Sequence, residues 1–178
     1  MIYNINNFFN KEECIDIINL CEDVGVFFNY MDDTTWDCKR IYDTKLKEFV
    51  LDRFNKKYEN NDLNLSFDFK LFEIKDVNIS LTKYYDNRRL DLHLDSSSQF
   101  TTVIVLSDGF VGGEFILSND TKQKEKELSL KKGDGISFDG SKIYHGVNPV
   151  TSGIRIALNI WMTNTEYKYR DVSKKTLL

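Results

Sequence analysis

Two histidines and one aspartate are the residues of this chain with the clearest capacity for metal chemistry. The chain has only two histidines, His93 and His145, and the first opens the triplet His93-Leu94-Asp95. In an extended segment, residues i and i+2 point to the same face, so the His93 imidazole and the Asp95 carboxylate would project together. His145 from a later strand would complete two neutral nitrogens and one carboxylate oxygen, the facial set that binds non-haem Fe(II). Alternatively, the triplet forms a surface turn and His145 is an ordinary core histidine.

A basic residue, Arg155, lies ten positions after His145 at the start of an apolar run. Strand alternation over residues 154–162 places Arg155, Ala157, Asn159 and Trp161 on one face. An arginine inside a barrel needs an anion, and its planar fork suits a carboxylate. Ala157 beside it leaves room for a small ligand. The alternative for Arg155 is an internal ion pair with an Asp or Glu.

The segment 77–85 also alternates between polar and apolar side chains. Its polar face consists of Asn78, Ser80, Thr82 and Tyr84. Together with the nearby motifs, this pattern predicts that the polar face points inward and lines a pocket for a small dicarboxylate. Tyr84 is the best single candidate for contacting that ligand. An outward polar face would make the segment a routine surface strand.

Two helices and a series of short strands must position these residues. Asn10, followed by acidic residues, predicts the start of a helix that carries an apolar stripe of Ile15, Ile17, Ile18 and Cys21 and ends at Gly25. A second helix is predicted over 44–58, after a polar, irregular loop over 29–43 that contains Trp36 and Tyr42. Strands are predicted over 66–74, 77–85, 101–106, 114–117, 127–130, 135–138, 145–147 and 154–162. Short strands joined by tight turns indicate a sandwich or jelly roll.

Composition and charge exclude several classes of protein. At 178 residues, with 41% hydrophobic and 29% charged residues, the chain is expected to fold as one globular domain over 1–178. The net charge of -4 argues against a nucleic-acid partner. No apolar run is long enough to span a membrane and no signal peptide is evident, so we expect a soluble, cytoplasmic protein. The three cysteines, Cys14, Cys21 and Cys38, suggest buried thiols rather than disulfides.

The order and spacing of these motifs resemble the iron- and 2-oxoglutarate-dependent oxygenase superfamily, and its prolyl 4-hydroxylase-type branch in particular. The resemblance covers residues 77–162 and rests on Tyr84, His93-Leu94-Asp95, Gly112-Gly113-Glu114, Lys132-Gly133-Asp134, His145-Gly146-Val147, Arg155 and Trp161. It implies a mainly β (α+β) fold with a double-stranded β-helix, or jelly-roll, core over about 66–165. The helical segment over about 1–65 would pack outside that core.

The resemblance also implies roles for individual residues. His93, Asp95 and His145 match the catalytic iron ligands, and Arg155 matches the residue that binds the distal carboxylate of 2-oxoglutarate. Tyr84 would also contact 2-oxoglutarate. Trp161 and, from its position in the 29–43 loop, Trp36 are candidates for binding substrate. The 29–43 loop itself is a candidate lid.

The implied activity is hydroxylation of a peptidyl side chain, with proline as the expected residue. It would use Fe(II), 2-oxoglutarate and O2, with ascorbate as an optional reductant, and would release succinate and CO2. Arginine rather than lysine at position 155, and Asp86-Asn87-Arg88-Arg89 where relatives carry a glycine, weaken the inference to proline. The alternatives are a hydroxylase of a free amino acid or other small metabolite and a non-catalytic, metal- or ligand-sensing jelly roll. The acidic charge disfavours nucleobase demethylation. The sequence leaves the oligomeric state open.

Overall fold

The structure is a computed structural model that describes residues 2–27, 36–59, 76–95, 100–119 and 123–163. Two helices precede most of the strands: α1 is Lys11–Val24 and α2 is Thr44–Glu59. The strands are β1 Ile2–Ile5, β2 Val26–Phe27, β3 Asp37–Ile41, β4 Asp76–Tyr84, β5 Leu90–His93, β6 Phe100–Val105, β7 Val111–Gly112, β8 Phe115–Ser118, β9 Lys126–Leu128, β10 Gly135–Phe138, β11 Tyr144–Val147, β12 Val150–Ser152 and β13 Arg155–Thr163. Neither helix is long and apolar enough to cross a bilayer.

The strands of the described residues form two main sheets and a small ribbon. The large sheet has seven strands in the order β1-β10-β6-β13-β4-β3-β2, and the small sheet has four in the order β5-β11-β8-β9. Strands β7 and β12 pair separately. All of these pairings are antiparallel. This architecture confirms the predicted jelly-roll class with helices outside it.

The large sheet is buried on both of its faces. Its outer face packs on the two helices through side chains such as Ile79 of β4, Ile160 of β13 and Phe54 of α2. Its inner face packs on the small sheet through Val103, Ala157 and Phe115. The predicted apolar face of β4 and β13 therefore packs on the helices. The predicted opposite face, which carries polar and small side chains, points between the two sheets.

The first helix begins and ends where the sequence predicts. The Asn10 side chain accepts a hydrogen bond from the Glu13 amide at 2.9 Å, and Glu13 Oε2 accepts one from the Asn10 amide at 2.8 Å. These reciprocal bonds form a capping box, which satisfies amides that the first helical turn leaves unpaired. The predicted apolar stripe is wrong at Ile15, which is 50% exposed, because the buried positions are Cys14, Ile17 and Cys21. All three cysteines are buried and free, as predicted.

The prediction of an irregular loop over 29–43 was wrong for its second half. Asp37–Ile41 forms β3, which pairs with β4 and β2 in the large sheet. Charged residues hide this strand in the sequence, and one of them, Lys39, pairs with Glu22 of α1. The predicted strand over 66–74 lies outside the described residues, as does the first half of the predicted loop, residues 29–35.

Candidate metal and co-substrate site

Neighbouring strands of the small sheet bring the two histidines together. His93 ends β5, His145 lies in β11, and the two residues are direct partners in the antiparallel register. Their ring centroids are 4.3 Å apart. Asp95 follows β5 and is held by its amide, which donates to the Gly140 carbonyl at 2.9 Å. One potential ligand atom from each of these three residues lies within 4.8 Å of the other two.

Both imidazoles are oriented by backbone carbonyl groups. His93 Nδ1 lies 3.0 Å from the Asp91 carbonyl oxygen, and His145 Nδ1 lies 3.0 Å from that of Ile143. A carbonyl oxygen can only accept, so Nδ1 carries the proton and the neutral ring presents the lone pair of Nε2. Each Nε2 faces Asp95, at 3.8 Å from Oδ1 for His93 and 3.6 Å from Oδ2 for His145. This is the orientation that metal-binding histidines require.

The charge states of these groups also suit a divalent metal ion. Burial lowers the pKa of His145 to about 4, although the Asp95 carboxylate opposes the shift, so the ring is neutral at pH 7. Phe138 packs edge-on against the His145 ring at 4.7 Å between centroids, and Phe115 stacks at 6.0 Å. Two neutral nitrogens and one carboxylate oxygen form a set that suits non-haem Fe(II) and leaves coordination positions open.

The large sheet supports the carboxylate of this cluster. Asp95 Oδ2 accepts hydrogen bonds from the Thr101 hydroxyl at 2.5 Å and from the Trp161 indole N–H at 3.0 Å. Thr101 and Trp161 are register partners on β6 and β13, so one position across the large sheet supplies both donors. The sequence predicts that Thr101 starts a strand but assigns it no role at the site. Trp161, predicted to bind substrate, contacts Asp95 here.

Arg155 lies at the other end of the same face of β13. Its side chain is 1% exposed, and within the described residues none of its three nitrogen atoms has a hydrogen-bond partner. Its guanidinium carbon lies 5.6 Å from the ring centroid of Tyr84, which is also buried. Burial lowers the pKa of Arg155 and raises that of Tyr84 to about 12. Tyr84 therefore stays neutral and cannot balance the guanidinium charge.

The space around Arg155 is made by small residues and a cavity. Ala157 and its register partner Thr82 follow on the inner face. Gly113 has a φ of 71°, and a Cβ atom there would lie 2.8 Å from Arg155 Cδ, so glycine is required for the arginine to take this place. Arg155 and Gly113 both line a cavity of about 460 Å³. Within the described residues Arg155 has no partner for the internal ion pair that the sequence left open. Because an unpaired buried charge is costly, this arrangement fits an anionic ligand.

Trp36 lies beside the same end of the site. Its ring stacks on Tyr84 at 6.3 Å between centroids, with 21° between the planes. Tyr42, the other aromatic residue of the predicted loop, is 56% exposed. The structure therefore brings Tyr84, Arg155 and Trp36 together at one end of the inner face, and His93, Asp95, His145 and Trp161 together at the other.

Comparisons with known proteins agree with this geometry. Residues 79–163 match a sequence model of the 2OG-Fe(II) oxygenase superfamily. Human prolyl 3-hydroxylase 2 is 35% identical over 77 residues, a match that covers 42% of this chain and only 11% of that protein.

Solved structures share the fold over nearly the whole chain. The 2OG complex of the viral collagen prolyl hydroxylase from Paramecium Bursaria Chlorella virus-1 has a TM-score of 0.60 at 19% identity, covering 90% of this chain and 94% of that one. A Trichoplax adhaerens prolyl hydroxylase, in complex with a peptide fragment of the hypoxia inducible factor oxygen degradation domain, has a TM-score of 0.65 at 13% identity, covering 92% and 83%. The sequence match over residues 79–163, the fold and the His-Asp-His geometry agree, and together they support the 2OG-Fe(II) oxygenase superfamily for this chain.

Proposed function

We propose that this chain is an Fe(II)- and 2-oxoglutarate-dependent dioxygenase that hydroxylates a side chain of a peptide or protein, with proline as the expected residue. The observation that carries the proposal is Arg155, a fully buried cation without a described partner, on the strand that also supports Asp95. A metal site alone would not need this charge. A metal site together with a buried anion receptor fits a dicarboxylate that reaches the metal.

In this proposal the residues divide between the metal and the co-substrate. His93, Asp95 and His145 hold Fe(II), and Arg155 binds the distal carboxylate of 2-oxoglutarate through charge-assisted hydrogen bonds. Tyr84 covers the guanidinium and keeps water from it. When bound, Fe(II) and 2-oxoglutarate supply the oxidising chemistry with O2, releasing succinate and CO2. The protein orients the two groups and excludes water around them.

A peptide substrate is favoured over a small metabolite by the open approach to the metal ligands. His93 has a side chain that is 37% exposed, and Leu94 beside it is also 37% exposed. An extended chain could therefore reach the metal from this side. The Trichoplax neighbour is a prolyl hydroxylase with a bound peptide, and the human relative is named a prolyl 3-hydroxylase. Both support a peptidyl proline.

The first experiment needs no knowledge of the substrate. Metal-free protein is titrated anaerobically with Fe(II) and 2-oxoglutarate, and the weak visible charge-transfer band of the chelate is recorded. We expect the band in the wild type and not in His93→Ala. In Arg155→Ala the band should need about 10 to 100 times more 2-oxoglutarate, because charged hydrogen bonds contribute about 1.5 to 3 kcal/mol.

The control is Arg89→Ala, which removes an exposed arginine paired with Asp91 and should leave the titration unchanged. Metal binding without the band would favour a sensor over an oxygenase, and an unchanged 2-oxoglutarate affinity in Arg155→Ala would overturn the assignment of that residue. Proline-containing peptides and free amino acids are then compared, with ascorbate present, for the gain of one oxygen atom by mass spectrometry. Hydroxylation of free amino acids alone would contradict the peptide substrate.

A further inference from the structure

Three aromatic and charged side chains form a row from the protein surface to the buried guanidinium. Trp36 is half-buried, whereas Tyr84 and Arg155 are 2% and 1% exposed. Trp36 stacks on Tyr84, and Tyr84 faces Arg155. Trp36 is therefore the most exposed member of the row and packs on the ring that faces the guanidinium.

Trp36 lies directly before strand β3, outside its register pairs. Strand β3 begins one residue later, at Asp37, whose register partner on β4 is Lys83. The Asp37 side chain also contacts two residues that follow β4. Its Oδ2 accepts a hydrogen bond from the Tyr85 hydroxyl at 2.8 Å, and its Oδ1 accepts one from Arg88 Nη1 at 2.6 Å. The Arg88 guanidinium also lies 4.0 Å from the Tyr85 ring centroid. We refer to Asp37, Tyr85 and Arg88 as the Asp37 clamp.

The clamp is attached to the connection between Tyr84 and His93. The Asn87 amide donates to the Val150 carbonyl at 2.8 Å, and the Val150 amide donates to the Arg88 carbonyl at 3.0 Å. Strand β5 starts at Leu90, two residues after Arg88, and ends at His93. The clamp residues Tyr85 and Arg88 are thus anchored on a short, fixed connection, while Asp37 immediately follows Trp36.

We propose that the Asp37 clamp is a positioning device that holds Trp36 against Tyr84 and so closes the 2-oxoglutarate end of the site. The inference rests on the proposed function. With Trp36 in place, water is kept from the guanidinium, and a carboxylate on Arg155 gains from the low local dielectric. Without the clamp, the stacking of Trp36 on Tyr84 is weakened and water competes for Arg155. The metal ligands, which Trp36 does not touch in the described contacts, keep their affinity for Fe(II).

The clamp has little part in overall stability. The side chains of Asp37 and Arg88 are 39% and 21% exposed, so their ion pair is screened by solvent. Breaking it should therefore change co-substrate binding more than folding. This separates a positioning role from a purely structural one.

The test is a double-mutant cycle between Trp36→Ala and Asp37→Asn, read out as 2-oxoglutarate affinity in the anaerobic Fe(II) titration. Each single variant should weaken 2-oxoglutarate binding about three- to tenfold, the scale of a partly exposed hydrogen-bonded pair, with Fe(II) affinity unchanged. The double variant should be no weaker than Trp36→Ala, because the clamp acts through Trp36. Trp36→Phe should restore most of the affinity.

Two further variants keep the test decisive. Tyr85→Phe removes one hydrogen bond and keeps the ring under Arg88, so it should weaken 2-oxoglutarate binding without unfolding the protein. Arg89→Ala, next to the clamp but paired with Asp91, should have no effect. Additive effects in the cycle, or unchanged affinity in both Asp37→Asn and Tyr85→Phe, would overturn the clamp. If Arg155→Ala still weakens binding in that case, the proposed function stands without it.

Discussion

Arg155 keeps its positive charge where no described side chain balances it. Buried charged side chains are usually paired, and the guanidinium of Arg155 is an exception. Such exceptions are most common at functional sites, where a ligand supplies the missing partner. Asp95 is the opposite case, since Thr101 and Trp161 both donate to one of its oxygens. This contrast fits the proposal that Arg155 binds an anionic ligand and Asp95 binds a metal cation.

The indole N–H of Trp161 should contribute to metal affinity. Trp161→Phe keeps the ring but removes the donor to Asp95, and loss of such a supporting hydrogen bond typically costs 10- to 100-fold in metal affinity. We expect Fe(II) binding to weaken by about tenfold or more, measured by anaerobic titration. Trp36→Phe is the matched control because the chain has only two tryptophans and Trp36 stacks on Tyr84 instead. Equal Fe(II) affinity in the wild type and Trp161→Phe would contradict this role.

Helix α1 is tied to β3 and β4 by one carboxylate near its end. Glu22 forms ion pairs with Lys39 of β3 and Lys83 of β4, and Lys39 Nζ also donates to the Glu22 carbonyl at 2.9 Å. Burial alone would raise the pKa of Glu22, but the hydrogen bonds from Lys39 and Lys83 outweigh it and hold the pKa below its usual value. These contacts attach the helix to the same two strands that position Trp36 and Tyr84.

The stability that Glu22 contributes should depend on pH. Because its pKa is lower in the folded than in the unfolded protein, the contribution is complete above the unfolded value of about 4.3 and is lost as the pH falls through the folded value. Glu22→Gln should therefore lower the free energy of unfolding at pH 7 by up to about 1 kcal/mol, and by less near pH 3. Urea denaturation at both pH values checks this.

The control is Asp52→Asn, which removes the exposed pair with Lys56 and should change stability little at either pH. If Glu22→Gln lowers the free energy of unfolding equally at both pH values, the Glu22 side chain stabilises the protein through packing and not through its charge.

At the scale of the whole molecule, the large sheet separates a supporting core from the chemical site. Phe8, Phe9 and Phe54 pack between the helices and the outer face, with Phe8 and Phe54 at 4.6 Å between centroids. The proposed metal and anion groups lie on the inner face and the small sheet. The outer core should therefore set stability without setting ligand affinity.

Phe54→Ala should separate these two properties. Phe54 is 1% exposed, so its truncation should destabilise the protein by about 3 to 5 kcal/mol. At temperatures where the variant stays folded, its 2-oxoglutarate affinity should equal that of the wild type. Phe49→Ala is the matched comparison, since Phe49 is 37% exposed and should cost less. Thermal denaturation and the anaerobic titration give the two quantities, and a parallel loss of affinity would contradict the separation.

The parts of the fold that could be predicted are those with regular side-chain periodicity. Strands β4, β10 and β13 and both helices lie within one or two residues of the predicted bounds, because each has a consistent apolar face. Strand β3 was missed because Lys39 and Arg40 interrupt its pattern, and the ion pair that permits Lys39 there involves a distant helix. Ile15 was misplaced because Cys14, one residue earlier, also fits the helical spacing of Ile17 and Cys21, and Cys14 is the residue that is buried.

The sequence by itself determined the candidate residues and their order, since His93, Asp95, His145 and Arg155 can be recognised by type and spacing. Only the tertiary structure decided that His93 and His145 are register partners and that Arg155 has no described partner. It alone also placed Thr101, Gly113 and the Asp37 clamp around them. The physical reason is that periodicity reports which face a side chain takes, whereas contacts between strands far apart in the chain depend on how the two sheets pack.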